Sequence, residues 1–157
     1  MIEISYNEYF TKLHKKIQEK SIFDSQKTIQ DDYHWIGYSF GAIFSFSCVF
    51  IKKRKKLTAE LYIDAGRNRE RYTKAIFDEI LKDKDTLQKQ SDIELKFERL
   101  DNKRACRIRV ENNVENNNNL DSYIDWHTES LKKLKEIFNK DYLEPIVTGK
   151  QIGRAHV

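Results

Sequence analysis

Two runs of alternating apolar and polar side chains, separated by five consecutive cations, occupy residues 43–64. A period of two places successive side chains on opposite faces of a β-strand. In the first run, 44–51, three phenylalanines and a cysteine share one face, which predicts a strand with a strongly buried side. The second run, 57–64, has the same period. The pattern therefore predicts an antiparallel hairpin whose turn is the cationic segment 52–56.

Helical periodicity marks three other parts of the chain. A capping-box pattern at Ser5 precedes a predicted helix over about 6–19. Asn68 is the predicted N-cap of a second helix. A third, longer helix is predicted over 120–138, and Pro145 is expected to end that region.

Three further strands complete the prediction. One, 35–40, precedes the hairpin, and two others, around 93–97 and 106–110, follow the second helix. An asparagine-rich loop is predicted over 111–119. The order is helix, three strands, helix, two strands, helix. It predicts the α+β class, with an antiparallel sheet of about five strands covered by helices.

Length and composition favour one soluble domain, placed at 1–147. A chain of 157 residues with 39% apolar content can bury a core without staples. Cys48 and Cys106 lie in strand patterns and are predicted to be buried thiols. No leader peptide is visible, and the longest apolar-leaning stretch, 42–51, is too short to span a bilayer. The expected location is the cytoplasm, with no membrane partner.

The last six residues match a translated sequencing adapter. Residues 152–157 can be translated from ATCGGAAGAGCACACGTC, the run of a common short-read sequencing adapter, and the next adapter codon is a stop. We therefore expect 152–157 not to be natural protein. The sequence does not decide whether residues 148–151 belong to the domain.

The cationic turn is the sharpest candidate binding feature. Residues 52–74 hold nine cations and three acids, a net charge of +6, while the whole chain carries only +4. Phosphate groups are natural counter-ions for such a cluster. The alternative is a solubilising turn that protects an aromatic strand from aggregation. The candidate nucleic-acid-binding residues are Lys52, Lys53, Arg54, Lys55, Lys56, Arg67 and Arg69.

Other constellations give no catalytic, metal or cofactor assignment. Asp64 with Glu94 and Lys96 can be fitted to a restriction-nuclease pattern, in which two carboxylates hold Mg²⁺ and a lysine lies near the attacking water. A whole helix separates these residues in the chain, so this alternative ranks last. Glu60 and Asp64 are expected roughly 13 Å apart on a solvated face. An enzyme is therefore not favoured, although the question stays open.

The histidines and tryptophans are interpreted mainly as structural. His14, His34 and His127 are isolated from one another, and His127 falls on the apolar stripe of the last helix, which predicts a core histidine. Trp35 and Trp126 are predicted to pack in the core. The alternative for such aromatics is a stacking platform for single-stranded nucleic acid.

The order and spacing of several residues resemble a known family. These are Y-x-x-Y-F-x-x-L from Tyr6, Trp35 before Gly37 and Gly41, Ala59–Ile63, Asn68, Phe97–Asp101 with Lys103 and Arg104, Arg107 with Ile108, and Trp126. The set resembles the bacterial and archaeal domain-of-unknown-function family 4268 (DUF4268), over about 6–146. The resemblance implies an α+β domain often found C-terminal to a restriction-type nuclease-like domain. It implies no catalytic residues.

The leading functional hypothesis is a non-catalytic accessory or recognition domain that contacts the phosphate backbone of DNA or RNA, in association with nuclease or defence systems. The alternative is a protein-interaction or regulatory module that docks a nuclease-like partner. A Mg²⁺-dependent nuclease is the third hypothesis. No cofactor is expected.

Overall fold

The computed structural model describes residues 4–114 and 119–149. These residues form five helices and five strands. Their bounds are α1 Tyr6–Glu19, β1 Trp35–Phe40, β2 Phe44–Ile51, β3 Lys56–Ile63, α2 Glu70–Leu81, α3 Lys84–Gln90, β4 Lys96–Glu98, β5 Cys106–Asn113, α4 Leu120–Ile137 and α5 Lys140–Thr148, with a 3₁₀ turn Lys52–Arg54 between β2 and β3.

The strands form one antiparallel sheet in the order β1-β2-β3-β5-β4. The first three are a meander, and β5 inserts between β3 and the short edge strand β4. This confirms the predicted α+β class and the antiparallel sheet. The hairpin register pairs Ile51 with Lys56, so the cationic segment is the turn. Lys55 there adopts a left-handed backbone conformation, with φ 51°.

The helices pack on the face of the sheet that carries the phenylalanines of β2; we call it the inner face. α4 crosses β2 and β3, α1 packs against α4, and α2 contacts β5 and α5. Inner-face residues such as Phe46, Phe50, Leu57 and Leu61 are completely buried. The opposite, outer face carries the alternate residues of each strand. The side chains of both free thiols, Cys48 and Cys106, are buried, as predicted.

A histidine on α4 ties the core to the hairpin. His127 is completely buried. Its Nε2 lies 3.1 Å from the carbonyl oxygen of Val49 and 3.0 Å from that of Thr58. Because carbonyls only accept, Nε2 carries the proton, and the Tyr9 hydroxyl donates to Nδ1 at 2.7 Å. His127 therefore joins α1, α4, β2 and β3, and the prediction of a core histidine is confirmed.

Two predicted helix boundaries are wrong. Asn68 is not an N-cap: it has a φ of 69°, and α2 begins two residues later, after Arg69. Asparagine tolerates that left-handed conformation, so it makes the turn instead. Pro145 does not end a helix but lies inside α5. The break falls earlier, where the Asn139 side chain accepts a hydrogen bond from the Tyr142 N–H and starts a new helix.

Two predicted strand boundaries also differ. β4 covers only Lys96–Glu98, because the Gln88 side chain bonds the backbone of Ile93 and Leu95 in place of a strand partner. β5 runs on to Asn113, which pairs with Lys56, so the predicted loop starts later than residue 111. The rest of that loop, 115–118, and the adapter-like tail 152–157 lie outside the described residues. Within the described ranges, every helix is too short or too polar to cross a bilayer.

Candidate functional site

An exposed aromatic platform lies at the hairpin end of the outer face. Trp35 is 45% exposed and Tyr33 is 47% exposed. Their rings stack at 5.7 Å between centroids, with 17° between planes. The indole lies over Gly37, where an added Cβ would come within 3.1 Å of Trp35 Cζ3. The prediction that Trp35 packs in the core is therefore wrong, whereas Trp126 does pack against it.

A groove of about 450 Å³ runs from this platform across the sheet. β2 supplies its floor with Ser45, Ser47 and Val49. The remaining lining residues are His34, Trp35, Ile51, Glu60, Tyr62 and Arg107. Tyr62 is 36% exposed, so two aromatic rings border a floor of small and apolar side chains. A planar ligand fits this combination.

The predicted position of Glu60 is also wrong. It was expected on a solvated face, but it is only 6% exposed. Burial raises the pKa of its carboxyl group, against the opposing effect of Arg107 and Arg109. The nearest cation is Arg107, whose Nη1 lies 3.7 Å from Glu60 Oε2. A buried carboxyl group with so loose a partner is a candidate for ligand recognition.

The charges on β4 and β5 largely neutralise one another. Arg107 Nε lies 2.5 Å from Glu98 Oε1, and Arg109 Nη2 lies 2.6 Å from Glu111 Oε1. Burial alone would raise the pKa of Glu98, but hydrogen bonds from these arginines lower it overall. This ladder of side chains offers little free charge to a ligand.

The cationic turn presents three free charges rather than five. Lys52 places its Nζ 4.3 Å from the centroid of the Tyr6 ring, and Lys56 forms an ion pair with Glu111 at 3.2 Å. Lys53, Arg54 and Lys55 are exposed. Within 4–114 and 119–149, the side chains of these three residues have no ion-pair partner. We call residues 53–55 the basic tip.

Arg67 and Arg69 do not join the basic tip. They follow the far end of β3, whose eight residues span roughly 24 Å by strand rise. Arg69 lies over the Tyr72 ring at 4.6 Å, and Arg67 is exposed. The candidate binding residues therefore form two groups, one at each end of the sheet.

The residues of the nuclease alternative are not brought together. Asp64 accepts hydrogen bonds from the Gly66 N–H and from Arg104, each at 2.8 Å. Lys96 pairs with Arg109, which pairs with Glu60, so Lys96 lies two strands away from Asp64 and four residues from it along the sheet. Their Cα atoms are thus roughly 16 Å apart by strand geometry. Among the described residues, no group of three or more acids, histidines or cysteines is arranged to hold a metal ion.

The fold and this outer face define an α+β domain with one helix-covered and one open sheet surface. The family model for the domain of unknown function DUF4268 matches residues 5–142, and the chain belongs to that family. No curated protein sequence matches it.

Among solved structures, a chain of the HopA1-SchA chaperone-effector complex is similar to this chain. The two share 9% identity, and the match covers 88% of this chain and 95% of that chain, with a TM-score of 0.41. Similarity at this level carries no argument about function.

Proposed function

We propose that this domain binds single-stranded nucleic acid on the outer face of its sheet, as a non-catalytic recognition domain. The observation that supports it best is the position of the basic tip next to the Tyr33–Trp35 platform. Trp35 pairs with Val49, three residues before the turn begins at Lys52. The platform and the tip are thus about 10 Å apart along β2. Bases can stack on the rings while neighbouring phosphates contact the tip.

Exposed rings favour a single strand over a duplex. A base can stack on a side chain only after it leaves its own helix, and each such contact contributes about 1–3 kcal/mol to binding. The groove beyond Trp35 continues toward Tyr62, and Arg67 follows the strand at that end. This arrangement supports a strand path across the sheet from one cationic group to the other.

The proposal includes an association with nuclease or defence systems, in which the domain would deliver a partner to nucleic acid. The rival function is docking of a nuclease-like protein, for which the open edge strand β1 or the helices would serve. The rival does not need the basic tip, so the two functions make different predictions for charge variants at 53–55.

Neutralising the basic tip should weaken binding and reduce its salt dependence. The variant is Lys53→Gln with Arg54→Gln and Lys55→Gln, and all three residues are exposed. Each phosphate contact to a single strand contributes about −0.7 to the slope of log affinity against log salt. The slope should therefore become shallower by about 2. Fluorescence anisotropy with labelled single-stranded RNA, single-stranded DNA and duplex probes measures it.

The matched control removes the same charge from the helices. Lys12→Gln, Lys89→Gln and Lys132→Gln change exposed lysines of α1, α3 and α4. This control should keep the slope of the unaltered protein. Equal slopes for the tip variant and the unaltered protein would refute the role of the tip. An absence of binding to every probe at low salt would favour the rival docking function.

A further inference from the structure

One row of residues across the sheet places an aromatic ring opposite a carboxyl group. Gly37 pairs with Ser47, and Ser47 pairs with Glu60. Neighbouring strands are about 4.8 Å apart, so Gly37 and Glu60 are separated by roughly 10 Å. The Trp35 indole lies over Gly37 at one end of this row, Glu60 lies at the other end, and both line the groove.

Glu60 has an unmet hydrogen-bonding capacity in this row. Its Oε2 atom is buried and accepts no hydrogen bond from the described residues. Its ion-pair partner, Arg107 Nη1 at 3.7 Å, is beyond hydrogen-bonding distance, and Arg107 Nε is already bound to Glu98. A buried acceptor without a donor is costly, and rotation of the carboxyl group toward a donor in the groove would relieve that cost. The hydroxyl group of Ser47, on the floor beside it, is also without a hydrogen bond among the described residues.

We infer that this groove selects a guanine base, which stacks on Trp35 and donates two hydrogen bonds from its Watson–Crick edge to the Glu60 carboxylate. The inference deepens the proposed function and rests on it. Guanine fits the row because its N1–H and exocyclic amine are adjacent and point the same way. A carboxylate has two acceptor oxygens in matching geometry.

The other bases fit less well. Adenine and cytosine each place an acceptor nitrogen beside their single exocyclic amine, and this acceptor would face the carboxylate without a donor. Uracil offers one N–H between two carbonyl oxygens, which the carboxylate would repel. The chemistry of Glu60 therefore separates guanine from all three, whereas stacking on Trp35 does not, since every base has an aromatic face.

The test compares oligonucleotides of roughly nine residues. One is all uridine, and the others carry guanosine, inosine or 1-methylguanosine at the central position. Guanosine should increase the affinity of the unaltered protein about tenfold over uridine, the order of one bidentate base contact. Inosine lacks the amine and 1-methylguanosine lacks the N1–H, so each should lose most of that gain. Glu60→Gln should reduce the guanosine preference to about twofold or less, because the amide group keeps only one acceptor oxygen for guanine and no longer repels the carbonyl oxygens of uracil.

The possible outcomes distinguish a failure of guanine selection from a failure of single-strand binding. Binding of all four strands with equal affinity overturns guanine selection and leaves single-strand binding intact. Binding of none overturns the proposed function itself. A full guanosine preference in Glu60→Gln also overturns the inference. If that variant fails to fold, the inosine and 1-methylguanosine strands decide with the unaltered protein.

Discussion

Replacing His127 by leucine should lower the free energy of unfolding by about 3 kcal/mol. The leucine fills similar space but removes the partner of the Tyr9 hydroxyl and of the Val49 and Thr58 carbonyls. The buried Tyr9 hydroxyl is left without its partner, which costs about 1–3 kcal/mol, and the two carbonyls, which stay in the paired strands of the hairpin, each lose one contact. Urea denaturation followed by circular dichroism measures the change.

Tyr9→Phe is the matched control for this network. It removes only the hydroxyl that donates to His127 Nδ1 and leaves both carbonyl contacts in place. The expected loss is about 1 kcal/mol. A His127→Leu variant as stable as the unaltered protein would contradict the assigned role, since it would mean that packing alone holds α4 on the hairpin.

Acidification from pH 7 to pH 4 should cost about 3 kcal/mol of stability through His127 alone. Burial lowers its pKa in the folded protein from 6.5 to about 4, although the two carbonyl contacts partly oppose this shift. The folded pKa lies below the unfolded one, so protons bind preferentially to the unfolded chain. The stabilisation is therefore complete above pH 6.5 and is lost as the pH falls from 6.5 through 4.

Comparison with His127→Leu isolates this contribution. His14 is also buried and its pKa is lowered in the same direction, mainly by burial, but it is unaltered in the variant. Chemical denaturation at several pH values should give a much flatter profile for the variant between pH 6.5 and 4. Parallel profiles for the two proteins would show that another group carries the acid sensitivity.

Local periodicity was sufficient to predict most of the elements. The bounds of α1 and β1 agree with the prediction, because the helix cap at Ser5 and the strand's alternating pattern each depend only on residues close together in the sequence. Pro145 and Asn68 misled the prediction for a different reason. Each residue is compatible with more than one position near a helix end, and the side chains that decide between them, such as Asn139, lie outside the local pattern.

The candidate site was less predictable because it depends on register between distant strands. Glu60 becomes buried through partners on β2 and β5, the latter almost 50 residues later in the chain. Residues distant in the sequence also decide which cations are free: Lys52 contacts Tyr6 and Lys56 contacts Glu111, whereas the basic tip has no ion-pair partner among the described residues. A signal was nevertheless present: an aromatic residue two positions before a glycine in an edge strand, with serine opposite that glycine.

The most direct test of single-strand binding on the outer face uses the two tryptophans as reporters. Trp35 is exposed on the outer face, whereas Trp126 packs against the core from α4 on the other side of the sheet. Titration of the ¹⁵N-labelled protein with a single-stranded oligonucleotide should shift the indole N–H signal of Trp35 and the backbone amides of 53–55. The Trp126 indole signal should stay in place. Shifts confined to Trp126 and the helices, or none at all, would contradict the proposed interface.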